Sequence, residues 1–217
     1  MNEYRQPVEL LEKNKPRQAR AKRTYESILD AAAQLLMEVG VERISTNLTA
    51  ERAGVTVPAL YRYFPNKYAV LYALGAKLMD RQNEVAQEWF NNNLDERNPE
   101  RLLEEIYPLL QATCDVTREQ RAGLEISQCL RAIAPLQELR LTSHRLVAEQ
   151  FADVLASVLP GIPAEALFLQ ARLSIEMGYG LVEMALEDDS LSEQEVLREG
   201  ARMIERYWQG MLDSVGG

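Results

Sequence analysis

Histidine and cysteine are nearly absent from this 217-residue chain, which has one of the first and two of the second. Protein metal sites draw several His or Cys ligands into one cluster, so no metal site is expected around the lone His144. That residue reads as a surface or helix-end histidine. Cys114 and Cys129 are too few and too close in sequence for a disulfide framework, and read as two core thiols. Long apolar runs are missing as well. The longest stretch without charge, Val154 to Ala164, has eleven residues and is interrupted by Pro160, Gly161 and Pro163, whereas a membrane span needs about 20 apolar residues. The opening MNEYRQPVELLEKNKPRQARAKR is charged throughout and lacks the apolar segment of a signal peptide. A cytoplasmic protein with reduced thiols and no membrane partner is expected. Alternating β-branched runs bounded by hairpin turns are missing, which argues against sheets. No G-x-S-x-G elbow, phosphate loop or dinucleotide fingerprint occurs, and Gly178-Tyr179-Gly180 sits inside helical spacing. Catalytic residues and cofactors are therefore not expected.

What is present is ordinary globular composition with a lopsided charge. Hydrophobic residues make up 47% and charged residues 26%, enough for a core without cross-links. The net charge is −9. Residues 1–81 carry 13 Lys/Arg against 9 Asp/Glu, and residues 82–217 carry 11 against 24. Lys13, Lys15, Arg17, Arg20, Lys22 and Arg23 crowd into eleven residues. An acidic body with a basic N-terminal end suggests that this end meets a polyanion.

Helical spacing covers nearly the whole chain. Ile28, Leu29, Ala32, Leu35, Leu36 and Val39 form one apolar stripe, closed by Gly40 as a C′ residue. Ser45 or Thr46 caps a short second helix ending before Gly54. A third runs over about Val57 to Phe64, with Pro58 in its first turn. Asn66 caps a long fourth helix reaching Asn91–Asn93. Further helices are predicted from Asn98–Pro99 to Thr117, over Ala122–Ala134, over Leu136–Leu159, and from Pro163 to Glu187. A Ser192–Glu195 capping box opens the last, to about Leu212. The fold class is all-α, with about nine helices.

Within this pattern the stretch AERAGVTVPALYRYFPNK is distinctive. Ala50, Gly54 and Leu60 fall at the fifth, ninth and fifteenth positions of a helix-turn-helix unit. The first must be small where two helices cross, the second must accept φ > 0, and the third must pin the second helix on the first. Leu60 and Phe64 then face inward. The outer surface of the second helix is left with Thr56, Val57, Pro58, Ala59, Tyr61, Arg62 and Tyr63, as in a recognition helix entering a major groove. Arg62 is suited to guanine, Val57, Pro58 and Ala59 to thymine methyls. Tyr61 and Lys67 are suited to phosphates, and Thr46 and Asn47 to a phosphate or a base edge. A helical hairpin of purely structural use carries the same three spacing residues, so an all-helical enzyme or a protein-interaction module stays open at this point.

The block from Thr24 to Leu74 resembles the DNA-binding domain of TetR-family transcriptional regulators. The resemblance rests on ILDAAAQLLMEVGVERIST followed by AERAGVTVPALYRYFPNKYAVLYAL, about 50 residues. One departure is Thr49, where the family usually has Ile or Leu. It leaves open whether Leu48 takes over that packing position and how Thr46 and Asn47 are placed. The resemblance implies a homodimeric regulator, most often a repressor on palindromic operator DNA, that a small-molecule effector releases. An activator or a co-repressor-dependent regulator of the same fold is the alternative. It further implies DNA contacts from Thr46, Asn47, Thr56, Val57, Pro58, Ala59, Tyr61, Arg62, Tyr63 and Lys67, with Lys22 and Arg23 adding phosphate contacts. The expected domains are a flexible basic arm over 1–18, the helix-turn-helix domain over 19–79, and an effector-binding and dimerisation domain over 80–217.

In that last domain, small residues at helical spacing suggest a helix pair that meets its copy in a four-helix interface. The candidates are Ala171, Ser174, Ile175, Gly178, Leu181, Val182 and Ala185, with Val196, Gly200, Met203, Ile204, Tyr207 and Met211 on the last helix. The resemblance implies the same pair. A pocket for a small, largely apolar effector is expected among Trp89, Phe90, Tyr107, Leu110, Cys114, Ile126, Cys129, Leu130, Ile133, Phe151, Met177 and Tyr179, which mix aromatic, sulfur and aliphatic groups.

Overall fold

A computed structural model describes residues 18–95, 101–159 and 161–213. Residues 1–17 of the expected arm, the Asn98–Pro99 start signal and Pro160 of the expected breaker lie outside them. All regular structure among the described residues is helical, in ten segments. They are α1 (Ala19–Arg43), α2 (Thr46–Arg52), α3 (Val57–Tyr61), α4 (Lys67–Asn93), α5 (Arg101–Glu104), α6 (Ile106–Glu119), α7 (Gly123–Ala132), α8 (Ala134–Val158), α9 (Ala164–Glu187) and α10 (Glu193–Asp213).

Local chemistry sets most boundaries. The regular part of α1 stops at Gly40, which turns to φ 73°. Ser45 caps α2 by accepting from Leu48 N–H, Thr56 caps α3 through Ala59 N–H, and Asn66 caps α4 through Ala69 N–H. The count differs from expectation in one place. A single helix was predicted up to Thr117, whereas α5 and α6 are separate around Glu105. Pro108 accounts for the break, because it has no N–H for the Glu104 carbonyl and its ring crowds that carbonyl. The neighbouring Glu105 carbonyl accepts from Leu109 N–H at 3.2 Å and from the Trp89 indole N–H at 2.7 Å.

The helices assemble into two compact units. The first comprises the chain up to Asp80 together with Arg118–Leu141, and the second Arg81–Thr117 together with the chain from Thr142 onward. Thus α4 supplies its first half to one unit and its second half to the other. In the first unit Ile28, Leu60, Phe64, Leu71, Leu78, Ile126 and Leu130 are fully buried. In the second, α9 and α10 pair closely. Gln170 Nε2 donates to the Tyr207 carbonyl at 2.7 Å, and the Trp208 indole N–H donates to Ser174 Oγ at 2.9 Å. One core cluster there is built on Ile106, Leu110, Cys114, Val182, Leu197, Ala201 and Ile204, another on Phe90, Leu102, Ala152, Leu155, Ile162 and Leu167. Among the described residues, no helix is long and apolar enough to cross a membrane.

Candidate nucleic-acid interface and ligand cavity

The hairpin of α2 and α3 is held by its own turn. Ala50 is fully buried, Gly54 adopts φ 66°, and Val55 N–H donates to the Ala50 carbonyl at 3.0 Å. A side chain at a φ this positive is strained, so glycine is required there. Leu60 and Phe64 point inward, both at 0% exposure. Thr49 keeps the packing position that an aliphatic residue would fill. It is 2% exposed, and its hydroxyl donates to the Ser45 carbonyl at 2.8 Å, so the buried oxygen is satisfied within α2. Leu48 stays outside, at 40% exposure, and does not take over.

Two further ties fix α2 against α1. Ser27 Oγ donates to the Ala53 carbonyl at 3.1 Å. Arg52 forms a two-point pair with Glu38, at 2.7 and 2.8 Å. The hydrogen bond from Arg52 holds the Glu38 carboxyl below its ordinary range, and the same bond raises the Arg52 guanidinium.

This packing leaves an outward surface. Thr56, Pro58, Tyr61 and Arg62 are exposed, while Val57 and Ala59 are half-buried between them. Asn47 is exposed in the first turn of α2. Its neighbour Thr46 is half-buried, with its hydroxyl 3.1 Å from the Tyr61 phenol oxygen. Lys22 and Arg23 are exposed on α1. Two residues have internal engagements that spacing alone does not reveal. The Tyr63 ring lies in an aromatic cluster, 6.0 Å from Tyr25 and 6.5 Å from Phe64. Lys67 Nζ donates to the Val41 carbonyl at 3.0 Å and sits 5.4 Å from the Tyr68 ring centroid.

The second unit contains a cavity lined by α4, α5, α6, α8, α9 and α10. Of the expected pocket residues, Trp89, Phe90, Leu110, Phe151 and Tyr179 line it. Phe90 and Phe151 stack at 4.5 Å and 13°, with Trp89 about equally far from both, at 6.2 and 6.1 Å. The other seven do not line it. Tyr107, Cys114 and Met177 belong to the neighbouring core cluster. Ile126, Cys129, Leu130 and Ile133 belong to the first unit, because α7 packs there and not against the cavity helices. Burial, then repulsion from Glu125, pushes the Cys129 thiol up to about 11.

His144 corrects the sequence expectation. It is neither on the surface nor at a helix end: it sits mid-way along α8 at 1% exposure and lines the cavity. Its ring stacks on Tyr179 at 4.3 Å and 5°, and Nδ1 lies 3.1 Å from a Glu176 carboxylate oxygen that Arg172 also contacts, at 2.6 Å. Sequence reasoning also passed over Gln82, another lining residue, at 1% exposure.

The residues expected at a dimer interface divide. Ala171, Val182, Gly200 and Ile204 are buried within the protomer, and Ser174, Ile175 and Gly178 line its cavity. Leu181, Ala185, Val196 and Met211 are half-buried. Gly200 faces the Leu181 side chain, and Gly178 faces Leu110. Their smallness therefore serves packing inside one chain. Met203 and Tyr207 are exposed, and so are Leu169, Leu173 and Met184 on α9.

Fold and surface together define a helix-turn-helix protein with a second, hollow helical unit. Residues 28–74 match the family model of bacterial regulatory proteins, tetR family. The likeness to that family lies in this N-terminal domain. It is similar to the class D tetracycline repressor protein of Escherichia coli, with 36% identity over 66 residues, 30% of either chain. The match thus spans under a third of that repressor's length. An uncharacterised HTH-type transcriptional regulator of Mycobacterium tuberculosis is 26% identical over 189 residues, 82% of this chain and 92% of its own. Among solved structures, a TetR-family regulator from Syntrophomonas wolfei shares the fold at a TM-score of 0.68 and 15% identity, over 85% of this chain and 94% of that one. All three are transcriptional regulators.

Proposed function

We propose that the chain is a ligand-responsive transcriptional repressor that works by binding rather than by catalysis, in the cytoplasm. One observation carries the reading. Leu60 and Phe64 anchor α3 while Thr56, Pro58, Tyr61 and Arg62 remain exposed, inside the segment that matches the tetR family. Arg62 is suited to a guanine edge, and Pro58 and Ala59 to thymine methyls. Lys22 and Arg23 supply phosphate contacts. Tyr61 and Lys67 join them, Lys67 by exchanging the Val41 carbonyl for a phosphate.

The functional protein is a homodimer. Leu169, Leu173 and Met184 on α9, with Met203 and Tyr207 on α10, offer the accessible apolar surface that supports this. A dimer reads a palindromic operator, one α3 per half-site. An effector occupies the cavity of the second unit, part of whose wall is Gln82, Ala86, Trp89 and Phe90 of α4. Because α4 begins in the first unit, a shift of its cavity half is transmitted along one continuous helix. The two ligands then oppose each other by a coupling of about 1–3 kcal/mol.

Selection from random duplex DNA at near-physiological salt tests this reading. An enriched palindrome whose affinity falls steeply with rising salt is expected, because phosphate contacts release counterions. No enrichment from folded protein, with or without metabolite extract, would overturn it.

A further inference from the structure

Two buried atoms of cavity-lining residues, Gln82 Oε1 and His144 Nε2, have no hydrogen-bond partner. Gln82 is 1% exposed and lines the cavity. Its Nε2 donates to Thr117 Oγ1 at 2.8 Å, and the Thr117 hydroxyl itself donates to the Thr113 carbonyl at 2.7 Å. The hydroxyl has spent its only proton, so the group facing it must be the amide N–H. That fixes the orientation of the amide. Oε1 is left as a buried acceptor with no hydrogen-bond partner, an arrangement proteins seldom tolerate without a use.

Of the remaining polar lining, His144 offers a second acceptor at Nε2, and several other groups are engaged within the protein. Thr113 donates to the Leu109 carbonyl, Ser174 donates to the Gln170 carbonyl, and the Trp208 indole N–H is taken by Ser174. His144 shares its Nδ1 proton with Glu176, since a carboxylate can only accept. No lysine, arginine, aspartate or glutamate occurs among the described lining residues. A carboxylate would be desolvated there without a lysine or arginine partner, and would meet an acceptor at Gln82. Two turns further along α4, about 10–12 Å on the helix axis, Trp89 and Phe90 with Phe151 make an aromatic end.

We infer that the cavity selects an elongated, uncharged, mainly apolar molecule with a hydroxyl or N–H group at one end, which donates to Gln82 Oε1 while the apolar end lies against Phe90 and Phe151. This rests on the effector reading above only for its consequence on DNA; the chemical preference stands by itself.

Trp89 and Trp208 are the chain's two tryptophans and both line the cavity, so intrinsic fluorescence reports its occupancy. Three probes of similar size separate the possibilities: 4-hexylphenol, its methyl ether, and 4-hexylbenzoate. On the full chain, the phenol is expected to bind about ten-fold tighter than the ether, with the benzoate weakest. Gln82→Leu is expected to bring phenol and ether within about two-fold of each other while ether affinity is retained. Thr117→Val keeps Gln82 but frees its amide to turn, and is expected to lower the phenol's advantage in the same direction. Circular dichroism of each variant verifies the fold. The inference is overturned if wild-type protein binds phenol and ether alike, if the benzoate binds tightest, if no probe quenches, or if both folded variants keep the full preference. Phenol that binds with the Gln82-dependent preference yet leaves affinity for the selected duplex unchanged sinks the effector reading and leaves this inference standing.

Discussion

Thr49 in the first unit and Gln82 in the second occupy comparable positions. Each is a polar side chain, at most 2% exposed, in a helix stripe that is otherwise apolar. Thr49 settles its hydroxyl on a carbonyl of its own helix at 2.8 Å, and the hairpin is complete without help. Gln82 settles its N–H on Thr117 but leaves its carbonyl oxygen unmatched beside a cavity. The first unit is a closed packing problem whose outer surface is free for contact. The second is built around a space, and a residue lining that space keeps a buried atom unsatisfied. A surface that must present fixed contacts benefits from a rigid support. A site that must respond benefits from an incomplete one.

The comparison breaks most visibly if the hairpin is hollowed. Leu60→Ala removes a fully buried side chain and should cost about 2–5 kcal/mol in urea unfolding. An unchanged midpoint would mean that the hairpin is not a closed packing unit. Leu173→Glu puts a charge in the exposed stripe of α9. It should weaken self-association about 100-fold in sedimentation runs while leaving the secondary structure intact. A dimer of undiminished strength would place the interface elsewhere. Arg62→Ala should cost about 1–3 kcal/mol of operator affinity and relax preference at one base pair. Equal loss on every sequence would demote Arg62 to a phosphate contact.

Smaller effects sharpen the contrast. With its pKa pushed up to about 11, Cys129 is thiolate to only about one part in a thousand at pH 8. Iodoacetamide labelling of native protein should therefore be slow there and should quicken above pH 10. Fast labelling at pH 8 would contradict the burial of α7 in the first unit. Smallest is Glu38→Gln, which removes the partner of Arg52 on the exposed side of α1. The Glu38 carboxyl is lowered in the folded state, so its contribution is present above the unfolded pKa and lost as pH falls through the folded one. The variant should melt slightly below wild type at neutral pH, and the gap should close on acidification below the ordinary carboxylate range. A gap that persists at low pH would show a packing role instead.

How far the sequence could be read follows from whether a feature is local. Gly40 and Gly54 are called for by turns a few residues long, and both adopt positive φ. Leu60 and Phe64 are dictated by spacing within one helical hairpin, and both are buried. Asn66 and Ser192 announce the helices they open. Non-local placement is another matter. The stripe of α7 shows that Ile126, Cys129 and Leu130 are buried, but not that they are buried in the first unit rather than beside the cavity. Small residues at Gly178 and Gly200 signal a close approach without saying whose side chain approaches, and in both cases it belongs to the same chain. Gln82 and His144 did leave a trace. Each breaks an apolar series, Leu78–Gln82–Ala86–Trp89 on α4 and Leu136–Leu139–His144–Val147–Phe151 on α8. A polar residue inside such a series is a better pointer to a cavity than another aromatic, because the aromatics also fill ordinary core.

One contact has a consequence for the timing of recognition. The Tyr61 phenol already leans on the Thr46 hydroxyl across the hairpin before any partner arrives. A long side chain that would otherwise sample several rotamers is held in place, so little of its freedom remains to be lost on docking. Thr46→Val would loosen that tether and leave every residue of α3 unchanged. It should shorten the lifetime of a DNA complex more than it slows its formation, and an unchanged dissociation rate would leave Thr46 with no part in residence time.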